Sequence, residues 1–561
     1  MAIEQQPSKL TPLGRLISLV LVVGLIGGGA YMVLNRFSSG GGGGGSTSSG
    51  GGSGGDAGEV PAVVDFKSEV PRLAPAAPFT LKDNIVPIEI SEYAGYAGLI
   101  AANGGLEPTE NSVFFKNGGF KVKLTVSEDE NWSDLNQGKI AGSVTTVDVL
   151  AAYGRQFHAV VPVQIGYSRG ADGLIVRTDI KKINDLKGKL VATSQFTEAD
   201  FFLRYLAQEA GLSVNVLNSV DATLSPDRIN AVYTEEGEQA GELFLHDIKS
   251  GANKIAGAMT WEPTVSEVVE ASGGVAKVLV TNKNLLVVAD VMVLHRGFAE
   301  ANPKIVQGLV HGLLEGNRLV RDNRDAHLDT IAKAFKWTRD DAREELAKVH
   351  LSNLPENLAF FSGAIDAAGS FGGIYQSAVL AYGPDLIKEP PDAERFASLA
   401  ALKTVEASGQ FKDQKVAISP IRSGAAGTLE GNPLLSKDIR FLFEPNSATL
   451  DLENQANLSN LDVIKKMLQV SPGSTILLRG HVDNAMVEDF RKRGGEAFVR
   501  TQALKAMELS KRRAAEIRQM MVGRLAVDAA RIEVVGRGWE EPVSPNSDEN
   551  RRVEVQWFTI E

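Results

Sequence analysis

The chain of 561 residues is 43% apolar and 23% charged, a balance typical of folded globular protein, and its length suits three or four domains of about 100–200 residues. Its formal charge is −11, from 58 Lys+Arg against 69 Asp+Glu, which opposes a nucleic-acid partner because phosphate neutralisation needs a basic surface. With no cysteine, the chain cannot form disulfides, thiolate metal sites or thiol nucleophiles, and it cannot be lipidated at an N-terminal Cys.

Residues 16–34, LISLVLVVGLIGGGAYMVL, carry no charge. As a helix this stretch spans about 28 Å, close to the hydrocarbon thickness of a bilayer. Lys9 and Arg15 precede it and only Arg36 follows closely, so the positive-inside bias leaves residues 1–15 in the cytoplasm and the rest outside it. A signal peptide would have a shorter apolar core and a better cleavage site than Gly-Ala-Tyr, so an uncleaved single-pass anchor is expected. Gly24 and Gly28 form a GxxxG pair that can pack two such helices, which allows a homodimer. Residues 38–58 read as a Gly/Ser linker, since positions 40–55 hold 11 Gly and cannot bury apolar area. About 20 such residues span roughly 25 Å.

Residues 80–395 alternate β-branched runs with helical patterns, the signature of an α/β fold with parallel strands. Expected strands include IVPIEI (85–90), KVKLTV (121–126), KIAGSV (139–144), VPVQIGY (161–167), DGLIVR (172–177), DLKGKLVAT (185–193), AGAMTW (256–261), KVLVT (277–281) and LVVADVMVLHR (286–296). Helices are expected over 198–212 and 303–323. Four segments occur in order: GSVTTVDVLAA, DGLIVRTDIKKINDLKGKLVA, MTWEPTV and DVMVLHRGFAEANPKIVQGL. Together they resemble the nitrate/sulfonate/taurine class of periplasmic solute-binding proteins, with a type II periplasmic fold. The resemblance implies two lobes joined by two crossing strands, expected near 173–177 and 289–293, that close over a small solute.

In such a cleft, unpaired N–H groups at helix starts suit an anion. Thr145 and Thr146 end one strand and begin a helix, and Ser194, Gln195 and Thr197 do so in the other lobe. Tyr93 and Tyr96 follow the first strand, Trp261 ends a later one, and Arg169 sits in the turn SRGADG. These nine are the candidate solute-binding residues. The plain alternative is an N-cap for each Thr or Ser, worth about 1 kcal/mol, and core or rim packing for the aromatics. The seven histidines are scattered, and neither HExxH nor GxSxG occurs. A catalytic role is therefore not expected, nor is a metal or cofactor.

After a helix expected at 391–407 and a linker at 409–438, residues 439–561 form the last domain. GHVD (480–483), LSKRRA (509–514), GRGWEEP (536–542) and NRRVE (550–554) follow in order. Together they resemble OmpA-like peptidoglycan-binding domains, an α+β fold. By that resemblance Asp483 and Arg513 grip the ammonium and carboxylate of diaminopimelate in the wall stem peptide, with Arg551 supporting and Asn484 adding a hydrogen bond. The chemistry suits the residues, since a planar guanidinium binds a carboxylate bidentately. Val482 replaces the usual Thr, and about a dozen extra residues, 487–502, precede the LSKRRA helix.

The order of parts implies an inner-membrane protein with periplasmic domains, binding a small anionic solute while held to peptidoglycan. An ABC permease is the candidate partner. The rival reading is a wall-anchored scaffold akin to a flagellar stator subunit, in which the binding fold serves protein contacts. The absence of Asp and Glu from 16–34 opposes ion conduction.

Overall fold

A computed structural model describes residues 60–127, 131–363, 369–418, 433–444 and 447–559. The expected membrane segment 16–34 and linker 38–58 lie outside them. Among the described residues no helix is long and apolar enough to cross a membrane.

Two six-stranded sheets form the lobes of the first part. In chain order the strands and the helices that bear on the site are β1 (Ile85–Ile90), β2 (Lys121–Val126), β3 (Gly142–Thr146), α1 (Val147–Tyr153), β4 (Ala159–Ser168), β5 (Asp172–Arg177), β6 (Leu190–Ser194), α2 (Glu198–Glu209), β7 (Val214–Val216), β8 (Ile229–Thr234), α3 (Gly237–Ser250), β9 (Ile255–Trp261), β10 (Ala276–Thr281), β11 (Ala289–His295), α4 (Pro303–Asp322), β12 (Val349–Leu351) and α5 (Phe371–Tyr382). The first lobe has strand order β12-β4-β11-β3-β1-β2 and the second β10-β5-β9-β6-β8-β7. In each lobe a parallel set meets antiparallel strands contributed by the crossings. The strands at each sheet centre are buried on both faces, which explains their continuous apolar runs. Helix α5 packs on α1 of one lobe and α2 of the other.

The chain crosses between lobes at 169–171 and 282–288, not at the expected 173–177 and 289–293. Those residues lie within β5 and β11, whose ladders are confined to one sheet each. Instead, the two crossings interlock through buried polar groups. Asn282 Oδ1 accepts from Gly170 N at 2.7 Å, and Ser168 Oγ donates to Asp172 Oδ2 at 2.6 Å. The Asn282 side-chain amide also donates to Asp172.

Sequence reasoning passed over β8 and α3, and the helix expected at 391–407 is a single turn (Ala393–Arg395) followed by a helix over Ala400–Ala407. It also passed over an extended strap, residues 64–79, which is stitched to both lobes. Val64 N donates to Tyr233 O (2.8 Å) and Phe66 N to Asn218 Oδ1 (3.1 Å) in the second lobe. Leu73 N donates to Gln156 Oε1 (2.8 Å) and Ala77 N to Asn136 O (2.9 Å) in the first.

The C-terminal domain comprises β13 (Leu435–Ile439), α6 (Gln455–Val470), β14 (Thr475–His481), α7 (Val487–Gly523), β15 (Ile532–Gly538) and β16 (Val553–Phe558). Its sheet order is β13-β16-β14-β15. The first strand begins at Leu435, inside the segment expected as linker, because Leu435 and Ile439 are buried against β16. The extra residues at 487–502 extend α7, which breaks at Gly494–Gly495. This domain rests on the second lobe and on a crossing. Asn184 accepts from Ser436 N and donates to Ser436 O, both at 2.8 Å, and Leu286 N donates to Val470 O at 2.9 Å. One apolar cluster runs through Ile183, Leu186, Leu286, Leu435, Leu468 and Val470.

Candidate functional site

The cleft residues separate into those that serve the fold and those left without partners. Thr197 is an ordinary N-cap: its hydroxyl accepts from Asp200 N (3.4 Å) and donates to Ser194 O (2.9 Å). Ser194 Oγ in turn donates to Thr197 Oγ1 at 3.2 Å. The Gln195 amide faces the strap, donating to Lys67 O (2.8 Å) and accepting from Lys67 N (2.9 Å). Trp261 lies over Gly237, where a Cβ would come within 2.3 Å of the ring, and its Nε1 donates to Glu238 Oε1 at 2.6 Å. Arg169 clamps the crossings, donating from Nε to Lys283 O (2.8 Å) and from Nη2 to Asn284 Oδ1 (3.1 Å).

A second group converges where β3 ends beside the first crossing. Thr145 and Thr146 pair in register with Val291 and Asp290 of β11. Thr145 is buried, its hydroxyl turned to the Thr146 carbonyl at 3.4 Å. Thr146 stands at the N-cap of α1, yet its hydroxyl caps nothing and is buried without a partner. Tyr96 donates to Asp290 Oδ1 at 3.1 Å, and Tyr93 lies edge-on to Tyr96 at 5.4 Å with its own hydroxyl buried and unpartnered. Sequence reasoning missed Asp148, two residues into α1. Its side chain is 0% exposed and neither carboxylate oxygen has a hydrogen-bond partner. Burial pushes its carboxyl up to about 7; the nearby Thr146 hydroxyl and its own amide offset this only in part, and Asp172 adds repulsion. The signal was an acid inside the otherwise apolar run VDVLAA.

The C-terminal domain carries a cavity of about 110 Å³ lined by Arg440, Phe443, His481, Arg513, Arg551 and Arg552, among others. Arg513 projects from α7, stacks over Phe443 at 4.9 Å and donates from Nε to Ser447 O at 3.2 Å. Burial and the neighbouring Arg551 lower its pKa, while Asp483 opposes the shift. Asp483 follows β14; its Oδ2 lies 3.4 Å from Arg551 Nε and its Oδ1 accepts from Ala485 N at 3.1 Å. Arg551 thus pairs directly with Asp483. Asn484 is exposed, and its carbonyl closes the turn by accepting from Val487 N at 3.2 Å. Four arginines line this cavity, and Asp483 adjoins it through its pair with Arg551; the set suits an amino-acid head group, whose carboxylate meets guanidinium and whose ammonium competes for Asp483.

His481, Glu541 and Glu554 also stand close enough to share an ion. Arg479 already bridges the two carboxylates, with Nη2 at 2.8 Å from Glu541 Oε1, so a cation's place there is taken.

Residues 442–556 match the OmpA family model, and residues 110–239 match the model described as NMT1/THI5 like. The chain carries an NMT1/THI5-like domain followed by an OmpA domain. The periplasmic aliphatic sulphonate binding protein SsuA from Escherichia coli is 18% identical, with a TM-score of 0.41, covering 56% of this chain and 97% of its own. The alkanesulfonate-binding protein SsuA from Xanthomonas axonopodis pv. citri, bound to MOPS, is 15% identical, with a TM-score of 0.40, covering 57% and 100%. The periplasmic nitrate-binding protein NrtA from Synechocystis PCC 6803 is 12% identical, with a TM-score of 0.41, covering 60% and 90%. No curated protein matches the chain.

Proposed function

We propose that this chain is an envelope protein that captures a small polar solute in its two-lobed domain while its C-terminal domain holds peptidoglycan. The observation that carries the reading is the arginine-lined cavity, in whose wall Arg513 and Arg551 stand, with Asp483 paired to Arg551. Diaminopimelate in the wall stem peptide fits it, its carboxylate on Arg513 and its ammonium on Asp483. The two-lobed domain supports binding rather than catalysis, with delivery to an ABC permease or sensing as its use. An anionic solute is the expectation that the helix starts at the cleft bring. Residues 16–34 supply an inner-membrane anchor and 38–58 a tether across the periplasm, with a homodimer through Gly24 and Gly28 as an option.

A second reading, a wall-bound scaffold, is favoured by one feature: the strap and α5 each contact both lobes. Free meso-diaminopimelate separates wall recognition from general stickiness. It is expected to raise the unfolding temperature of the full chain by mass action, and not that of the Arg513→Ala variant. Equal shifts in both would remove the assigned pocket. For the anchor, intact-mass analysis of the membrane fraction is expected to find residue 1 retained; loss of about the first 30 residues would replace the anchor by a signal peptide.

A further inference from the structure

The cleft holds more acid than the fold uses. Around the end of β3 and the crossings lie Asp148, Asp172 and Asp290, all buried, and Glu198 and Asp200 at the start of α2. Electrostatic coupling runs among them: Asp148 feels Asp172, Tyr93 feels Asp290, Asp172 and Glu198, and Tyr382 of α5 feels Asp148 and Asp200. The cations nearby are engaged. Arg204 donates from Nε to Asp200 Oδ1 (2.8 Å) and from Nη2 to Tyr233 OH (2.6 Å), and Arg169 is spent on the crossings. Asp172 accepts from Ser168 and Asn282, and Asp290 accepts from Tyr96. Asp148 alone of these five carboxylates has both oxygens buried without a hydrogen bond.

A buried carboxylate with no donor is costly and is kept where something else supplies the donor. Two further buried hydroxyls beside the same crossing, Thr146 Oγ1 and Tyr93 OH, also lack a hydrogen bond of good geometry, although Thr146 lies near enough to Asp148, and Ser168 to Tyr93, to lower the pKa of each in part. Resting on the solute-binding reading, we infer that the cleft receives its solute through a cationic, hydrogen-bond-donating group, an ammonium or amidinium, set against the Asp148 carboxylate with the Thr146 and Tyr93 hydroxyls flanking it. An acidic group at the solute's far end is compatible with this arrangement; an oxyanion directed at Asp148 is not, because like charges in a low-dielectric site repel.

The test is thermal unfolding of the full chain at pH 8 with two probe sets at millimolar concentration. One set is β-alanine, putrescine and agmatine; the other is propionate, ethanesulfonate and nitrate. At least one amine or guanidine probe is expected to raise the midpoint by several degrees, and Asp148→Asn is expected to bind it at least tenfold more weakly. Shifts from the anion set alone would overturn the inferred class and leave solute binding standing. No shift from either set would overturn the inference together with the solute-binding reading. The unliganded Asp148→Asn protein provides a control that does not depend on ligand. A midpoint at or above the parent's at pH 8 supports an uncompensated carboxylate, whereas a clear drop would show that Asp148 has a structural partner and overturn its assignment to the solute.

Discussion

Asp148 and Glu554 are both desolvated carboxylates, and their neighbours send them in opposite directions. Burial alone raises either. At Glu554, the nearby His481 ring, a hydrogen bond from Gln556 and the Arg479 charge outweigh burial and hold the carboxyl near 2. A group with a depressed folded pKa lends stability above its unfolded value, about 4.5, and loses it as pH falls toward 2. Glu554→Gln is therefore expected to cost about 3 kcal/mol at pH 7, on the usual scale for breaking a buried pair, and much less at pH 2. Denaturant unfolding at both pH values checks it. Asp148 runs the other way. Its folded pKa of about 7 exceeds the unfolded 3.8, so the folded state binds the extra proton and stability declines as pH rises between them. Asp172 and Tyr382 face it from the crossing and from α5, and neither supplies a cation. Asp148→Asn is expected to gain on the parent as pH rises from 4 to 8, by about 1–3 kcal/mol at the top. An unchanging difference across that range would contradict the assignment.

Secondary-structure elements show which parts of the sequence motifs are scaffold. Gly480 of GHVD and Gly536 of GRGWEEP let α7 settle on the sheet: a Cβ at either would lie 2.1 Å from Ser510 O or 2.3 Å from Met507 O. Ser510 of LSKRRA donates to Met507 O (2.8 Å) and accepts from Gly538 N (3.0 Å), tying helix to strand. Gly480→Ala is thus expected to destabilise the C-terminal domain by about 2–3 kcal/mol or more through overpacking, read as early loss of its amide protection in hydrogen exchange. Thr197→Ala should cost only about 1 kcal/mol, the value of a lost cap.

The same elements show how far the sequence was legible. β-Branched runs located β1, β2 and β5 residue for residue; burial alternates with the strand period through β2, whereas β5 is buried on both faces and reads as a continuous apolar run. β8 carries a comparable signal in INAVYT but stands after a long polar stretch, and α3 opens on Glu236 rather than Ser or Thr. In the C-terminal domain, the motifs single out Asp483 and Arg513, and the fold brings the two near one another beside Arg551. In the cleft, position after a strand marked Thr146 and Gln195 alike, yet one is an unmatched buried hydroxyl and the other grips the strap. Only tertiary contacts separate them.

At the scale of the whole molecule, three features tie the lobes together: the interlocked crossings, helix α5 and the strap. The C-terminal domain touches one of these directly, through Leu286 N to Val470 O at 2.9 Å. Removing residues 60–79 is expected to widen the separation between spin labels at Lys116→Cys and Lys249→Cys, one on each lobe. The absence of native cysteine makes these labels specific. An unchanged distance distribution would show that the strap does not restrain opening.

Under the proposed function, one chain grips the wall through Arg513 and Asp483 while its other domain stays free to bind a solute. Co-sedimentation of the chain from residue 60 with purified peptidoglycan sacculi tests it most directly. The parent is expected to pellet with sacculi, and Asp483→Ala and Arg513→Ala to lose about 1.5–3 kcal/mol each, roughly ten- to hundredfold in affinity, as expected for a charged hydrogen bond. Folded variants that pellet as the parent does would contradict the assigned pocket, and a parent that stays in solution would contradict wall binding itself.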